Sequence, residues 1–243
     1  MSKTTRSTGP LREYVPGEMW LAEYPVRFAG IDLVARTTVV RLADGLLWVH
    51  SPGPLSNAFE AELEALGRPG YVIAPGTFHF LHAADFKQRY PAATLWVCPG
   101  IETKAPQMPF EFILGDRPPD DWAEQIDQVL VRGVSPMREV AFFHRASRTL
   151  VLTDLVENIG DESGDVDWKL RFWWKAVFHM WNHPKPAPEY QLGYKDKSAV
   201  RQSLERILAW DFERVILAHG ELIEQDAQRV VREAWARPLS FAE

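Results

Sequence analysis

Residues 71–97 read YVIAPGTFHFLHAADFKQRYPAATLWV, and this stretch decides the fold. Tyr71–Ala74 is a short apolar run of the buried-strand type, Phe80–Arg89 carries helical spacing, and Thr94–Cys98 is a second buried strand. A strand, a helix and a strand within ~30 residues predict parallel pairing, because the helix supplies the crossover that a tight turn cannot. The alternation extends upstream. Residues 31–42 (IDLVARTTVVRL) are rich in β-branched side chains, Asp44-Gly45 punctuates them, and Leu46–His50 (LLWVH) is the return strand. Ser56 and Asn57 open a helix over Ala58–Leu66, with Glu60 placed to complete the cap and Gly67 just past the end.

Downstream, Pro106, Pro109, Pro118 and Pro119 mark loops between residues 99 and 121, but strands resume at Gln128–Val131, so no domain boundary is placed there. Val140–Phe143 and Thr149–Thr153 flank the polar turn Arg145–Arg148 as a second hairpin. Ser198–Trp210 is an amphipathic helix, Arg214–Ala218 a buried strand, and Glu221–Ala236 an amphipathic end helix. Two β-rich halves, each followed by helices, point to an α/β four-layer αββα sandwich, with a doubly wound sheet as the alternative.

Composition bounds the function. The chain has 243 residues, 46% hydrophobic and 25% charged, which excludes disordered, collagen-like and coiled-coil readings. With 27 Lys+Arg against 33 Asp+Glu the net charge is −6, so there is no electrostatic footprint for nucleic acid or an anionic membrane. No apolar run approaches the ~18 residues of a membrane span. Residues 1–10 (MSKTTRSTGP) lack the apolar segment of a secretory signal and read as a flexible tail, leaving residues 11–243 as a single domain. The lone cysteine, Cys98, has no internal disulfide partner, which fits a reducing, cytoplasmic setting.

Several chemistries have no motif. Neither G-x-x-x-x-G-K-[ST] nor G-x-G-x-x-G occurs, and the nearest approach to a G-x-S-x-G elbow, Gly133–Met137, lacks its second glycine. Cys98 closes an apolar strand before Pro99, where a structural thiol is expected rather than a nucleophile. The histidines are more informative. His50 ends one strand, His79 follows another by five residues, His219 ends a third, and Asp154 ends a fourth. In layered α/β proteins ligand sites form beyond the carboxyl ends of strands, and three such side chains plus a water are the minimal catalytic zinc set.

These motifs resemble the metallo-β-lactamase fold, over about residues 11–236, and specifically an uncharacterised domain-of-unknown-function family of degenerate members. Intact members carry T-H-x-H-x-D-H after a strand; here the matching stretch is Ala74-Pro75-Gly76-Thr77-Phe78-His79. The resemblance therefore places Ala74 and Gly76 where two metal histidines belong, Phe78 at the aspartate, and leaves His79. The G-H-[ST]-x-G histidine falls on Val134, the bridging aspartate on Asp154, the last histidine on His219, and the early D-[ST]-G aspartate on His50. By this matching all three ligands of one metal position are gone, and the dinuclear hydroxide chemistry is expected to be absent. His79, Asp154 and His219 suffice in number for one divalent ion (zinc, iron or manganese), with His50 or His82 completing the set and Glu157 a further carboxylate. The competing state is metal-free, the three hydrogen-bonded to one another; Phe78 beside the ions' place and the loss of ligands favour it, or weak binding.

Two functions follow from the resemblance. One is a non-catalytic relative binding a small molecule or a protein partner in the former active-site cleft, lined by His50, Phe78 and His82. The other is a mononuclear hydrolase of an ester- or thioester-type bond, with Asp154 as ligand and catalytic orienter. The loss of whole motifs favours the first. Residues 167–183 (DWKLRFWWKAVFHMWNH) read as an aromatic helix that packs in the core or covers the crevice, ahead of a membrane-interface role. His179 and His183 stand four apart, but HMWNH lacks the glutamate of H-E-x-x-H and Pro184 ends the helix. Asp161–Asp167 is read as a solvated turn, its glycine spacing unlike a calcium loop.

Overall fold

Strands β1 (Arg12–Val15), β2 (Met19–Phe28) and β3 (Ile31–Arg41) form an antiparallel meander at one side of the first sheet. The computed structural model describes residues 8–164 and 166–242. Most of the expected flexible tail, residues 1–7, lies outside them; Thr8 and Gly9 are already fastened, Gly9 N–H donating to Glu23 O at 2.7 Å. The sheet continues through β4 (Leu46–His50), β5 (Arg68–Ala74), β6 (Thr94–Val97) and β7 (Phe112–Ile113), with β4 to β7 all parallel. The crossovers are α1 (Asn57–Leu66) and α2 (Ala83–Arg89). Ser56 caps α1, its hydroxyl accepting from Phe59 N–H at 3.2 Å, and Gly67 ends it.

The second sheet has the order β11-β10-β9-β8, from β8 (Ile126–Leu130), β9 (Val140–His144), β10 (Thr149–Leu152) and β11 (Arg214–Leu217). Its strands alternate between two cores, as a period of two requires. Val140, Phe142, Val151 and Ile216 face the first sheet and join Val49, Ile73 and Trp48. Ala141, Phe143, Leu150 and Leu217 face the other way, against Val200, Leu204 and Ile207 of the helix Lys197–Leu208 and Val231 of the helix Ala227–Ala234. Phe59, Leu63 and Phe86 bring α1 and α2 onto the outer face of the first sheet. The result is the αββα sandwich.

Two helical readings need correction. Residues 221–226 are not helical: Ile223 exchanges both backbone hydrogen bonds with Val215, at 2.8 and 3.1 Å, and Asp226 is left-handed with φ 51°. The aromatic segment is helical only over Trp168–Val177, its last five residues in wide π turns, and His179 at φ 53° stops it. It also splits by face. Leu170, Trp174, Met180 and Trp181 form a small core, whereas Trp168, Phe172 and Trp173 are exposed. Asp161 accepts from Trp181 Nε1 at 2.9 Å and from Asn182 Nδ2 at 2.7 Å, so the acidic stretch anchors this segment. No helix among the described residues is long and apolar enough to cross a membrane.

Candidate metal centre

Because β4 runs parallel to β5 and β10 parallel to β11, their carboxyl ends open at one edge, and each delivers a polar residue there. His79 follows β5 on a turn held from across the sandwich: Thr77 N–H donates to Arg138 O at 2.9 Å, and Thr77 Oγ1 accepts from Arg138 N–H at 3.1 Å. Asp154 leaves β10 on a backbone fastened by Glu139. Its buried carboxylate accepts the N–H groups of Thr153, Asp154 and Leu155 at 2.6, 2.8 and 3.1 Å. His219 follows β11, and the Arg36 guanidinium donates to the carbonyls of Leu217 and Gly220 on either side of it. Gly220, at φ +81°, lies so close to Asn158 that a Cβ would sit 2.0 Å from its carbonyl oxygen.

The structure brings His79, Asp154 and His219 together, all buried, with one donor atom from each within 4.8 Å of the others. His79 Nε2 is 3.3 Å and His219 Nε2 is 3.7 Å from the same oxygen, Asp154 Oδ1. The opposite ring nitrogens are held. His219 Nδ1 donates to Val34 O at 2.7 Å, which leaves a lone pair on Nε2 facing Asp154. His79 Nδ1 meets Ser51 Oγ at 2.9 Å, and the Tyr24 hydroxyl bonds the same serine. Two imidazole nitrogens with fixed outer partners and one shared carboxylate oxygen fit a divalent ion, zinc, iron or manganese alike.

Electrostatics point the same way. Burial alone would depress His79, but the Asp154 charge and hydrogen bond, with Glu139 behind, raise it above the ordinary imidazole value. Burial would likewise raise Asp154, yet His79 and His219 hold it below the usual carboxylate range. His219 is pushed down to about 4 by burial and the His79 charge. Glu139 is pushed up to about 7 by burial and the Asp154 charge. One positive charge, a proton on His79 or an ion, is thus favoured between His79 Nε2 and Asp154 Oδ1.

Above the three donors lies a cleft of about 110 Å³ with mostly apolar walls, among them Phe28, Phe78, Met137 and Trp174. Phe78 lies edge-on to Phe28 at 5.7 Å and carries Lys104 Nζ at 3.8 Å from its ring centre. His50 does not reach the cleft: its ring stacks on Trp48 at 5.4 Å, meets Phe142 edge-on at 5.5 Å, and is buried with both nitrogens unpartnered. His82 sits behind the wall, edge-on to Tyr24 at 5.9 Å and 3.8 Å from Asp85. Glu157 does line the cleft, with Glu189; its Oε2 is buried without a partner, and burial, Asp154 and Glu189 raise its pKa well above the ordinary value. His179 and His183 are exposed. No motif in the sequence marks Glu139, Arg36, Ser51 or Glu189; the available signal is a charge within or beside an apolar strand, as at Arg36 in Ile31–Arg41 and Glu139 before Val140–His144. A larger groove of about 930 Å³ adjoins this cleft but, among the described residues, gathers no such donor set.

The positions matched to the missing ligands are filled otherwise. A Cβ at Gly76 would lie 3.1 Å from Arg138 O and 3.5 Å from Thr153 Oγ1. Val134 packs in the apolar cluster with Leu155 and Tyr190, and Ala74 is fully buried.

A family model described as a domain of unknown function (DUF4336) matches residues 16–184. No curated protein matches the chain. Among solved structures, the DIM-1 metallo-β-lactamase exposed to ceftazidime is similar at TM-score 0.64 and 14% identity, covering 95% of this chain and 99% of that one. FIM-1 from Pseudomonas aeruginosa, in its mono-zinc form, is similar at TM-score 0.61 and 9% identity, with 97% of each chain covered. The metal-soaked Flv1 flavodiiron core from Synechocystis reaches TM-score 0.64 at 12% identity, covering 97% of this chain and 61% of that one. At these identities the likeness is one of fold.

Proposed function

The chain belongs to the DUF4336 family, on a metallo-β-lactamase-type fold, and from that premise we propose that it binds a small molecule in a cleft built over a single divalent ion, as a mononuclear hydrolase of ester- or thioester-type bonds. The observation that carries this reading is the convergence of His79 Nε2, His219 Nε2 and Asp154 Oδ1 within 4.8 Å, each imidazole held at its outer nitrogen. An ion bound there would supply Lewis-acid activation of a water and of a carbonyl. The chain's own residues do the rest. Val34 fixes the His219 tautomer, Ser51 orients the His79 ring, Glu139 fixes the Asp154 backbone, and the aromatic walls exclude water.

A second ion is not part of the proposal. The backbone of Arg138 and the Thr153 hydroxyl lie against Gly76, where the fold's intact members place a ligand, and Val134 is packed among apolar side chains. The site is in this sense degenerate. The buried, lone Cys98 thiol, its pKa raised by burial, suits the cytoplasm.

Metal analysis of protein purified without a histidine tag tests the reading. About one equivalent of zinc, iron or manganese per chain, lost in His219→Ala, is the expected result. Less than about a tenth of an equivalent after loading leaves the binding-only alternative, in which His79, Asp154 and His219 merely hydrogen-bond.

A further inference from the structure

We propose that the molecule bound in this cleft carries an ammonium group, seated against Glu157 with Glu189 beside it, on an apolar or aromatic body lying against Trp174 and Phe78. The inference rests on the cleft being the ligand site, as read above, and adds the class of ligand.

Among the described carboxylates that line the cleft, Glu157 alone has a buried oxygen without a partner: the residue is 7% exposed, and Oε2 has no hydrogen-bond partner. A buried carboxyl oxygen left without a partner is unfavourable, and an ammonium donor from a ligand satisfies it better than a neutral group because the hydrogen bond it forms is charge-assisted. Trp174 is also more than nine-tenths buried in the same wall, with Nε1 unpartnered, so the site offers a donor beside the acceptor. A hydroxyl or carbonyl next to the ammonium group would match both. The aromatic faces suit an organic cation as well.

The charges around the cleft agree. Asp154, Glu157 and Glu189 line it, and Arg27, which lines it too, is ion-paired to Asp32 at 3.5 Å. The adjoining groove shares Arg27 and Leu33 with the cleft and adds Glu162, Asp167 and Glu221 against Lys169, while its Arg36 is engaged by Glu23 at 2.9 Å. Acidic groups outnumber basic ones along both linings, a balance that attracts cations and disfavours carboxylates.

The test compares 2-phenylethylamine with 2-phenylethanol, which differ in charge on the same body, by ligand-observed NMR at neutral pH. Metal-loaded and chelated wild type, Glu157→Gln and Glu189→Gln are each titrated. The amine is expected to bind at least about tenfold tighter than the alcohol in both wild-type states. The ratio should fall to within about twofold in Glu157→Gln and by a smaller factor in Glu189→Gln, with metal content unchanged in both. Equal binding of the two probes to wild type, binding of neither, or a preference retained in folded Glu157→Gln overturns the inference. Should Glu157→Gln not fold, the wild-type ratio and Glu189→Gln decide. Amine preference without any metal overturns the ion alone; metal without amine preference overturns this inference alone.

Discussion

His50 sets a quantitative test of how the strand ends are packed. Its ring lies between Trp48 and Phe142, is fully enclosed, and has no partner at either nitrogen. Burial, with the neighbouring His79 charge, lowers its pKa from 6.5 to about 3. The folded protein therefore keeps this ring neutral through the mildly acidic range, while the unfolded chain takes up a proton near pH 6.5. The depressed native pKa means that the contribution is intact above pH 6.5 and is lost progressively as the pH falls towards 3. Each pH unit in that window is worth about 1.4 kcal/mol, so lowering the pH to about 5 removes about 2 kcal/mol of stability through this residue. His50→Phe retains the stacking surface, forfeits no hydrogen bond and lacks the titration. Urea unfolding of both proteins at about pH 8 and about pH 5 isolates the difference, since His79, His82 and His219 are common to both. Wild type should lose about 2 kcal/mol more than His50→Phe on acidification. Equal losses in the two proteins would refute the account, because they would mean that His50 is protonated or hydrated in the folded state.

Three further outcomes bear on the metal centre. Glu139→Ala strands three backbone N–H groups, so it should cost about 3 kcal/mol or more in urea unfolding and weaken zinc binding about 10–100-fold in a competition titration. Ser51→Ala removes the partner of His79 Nδ1 and of the Tyr24 hydroxyl; zinc affinity should drop about tenfold or more, with a loss of about 1–3 kcal/mol in urea unfolding. Gly76→His restores a ligand type at a position of the intact family pattern, yet a Cβ there meets Arg138 O at 3.1 Å. It should destabilise by about 2 kcal/mol or more in thermal unfolding and bind no second equivalent in metal analysis.

The fold was legible because its signals are local and repeated. Apolar strands alternating with capped helices, such as Tyr71–Ala74 and Asn57–Leu66, need only hydrophobic period and turn chemistry to be read. The end helix was overextended because residues 221–226 have helical spacing, whereas the unpaired edge of β11 captures the backbone of Ile223. The site was legible only in its donor atoms. His79, Asp154 and His219 stand at strand ends in the sequence, but Glu139, Arg36 and Ser51 act on backbone groups far away along the chain, and no local pattern marks such partners. His50 shares the strand-end position of the other histidines but is packed between Trp48 and Phe142, since a strand end alone does not tell whether a side chain enters the core or the cleft.

The positions that the fold resemblance matches to three imidazoles have surroundings of a coherent physical form. Where a second ion would need three imidazoles, this chain has a backbone clamp: Arg138 and Thr77 exchange hydrogen bonds, and Glu139 gathers the three N–H groups that begin the Asp154 turn. A carboxylate satisfied by three backbone donors does for the loop what a coordinated ion does elsewhere, without needing an exchangeable ligand. Asp154 is thereby rigid before anything binds, and so are His79 and His219, held from behind by Ser51 and Val34. A site preorganised in this way places two nitrogen lone pairs and a carboxylate oxygen against one another, an arrangement that is favourable only with a cation among them. A proton on His79 meets that demand, and a single divalent ion, engaging all three donors at once, would meet it more fully.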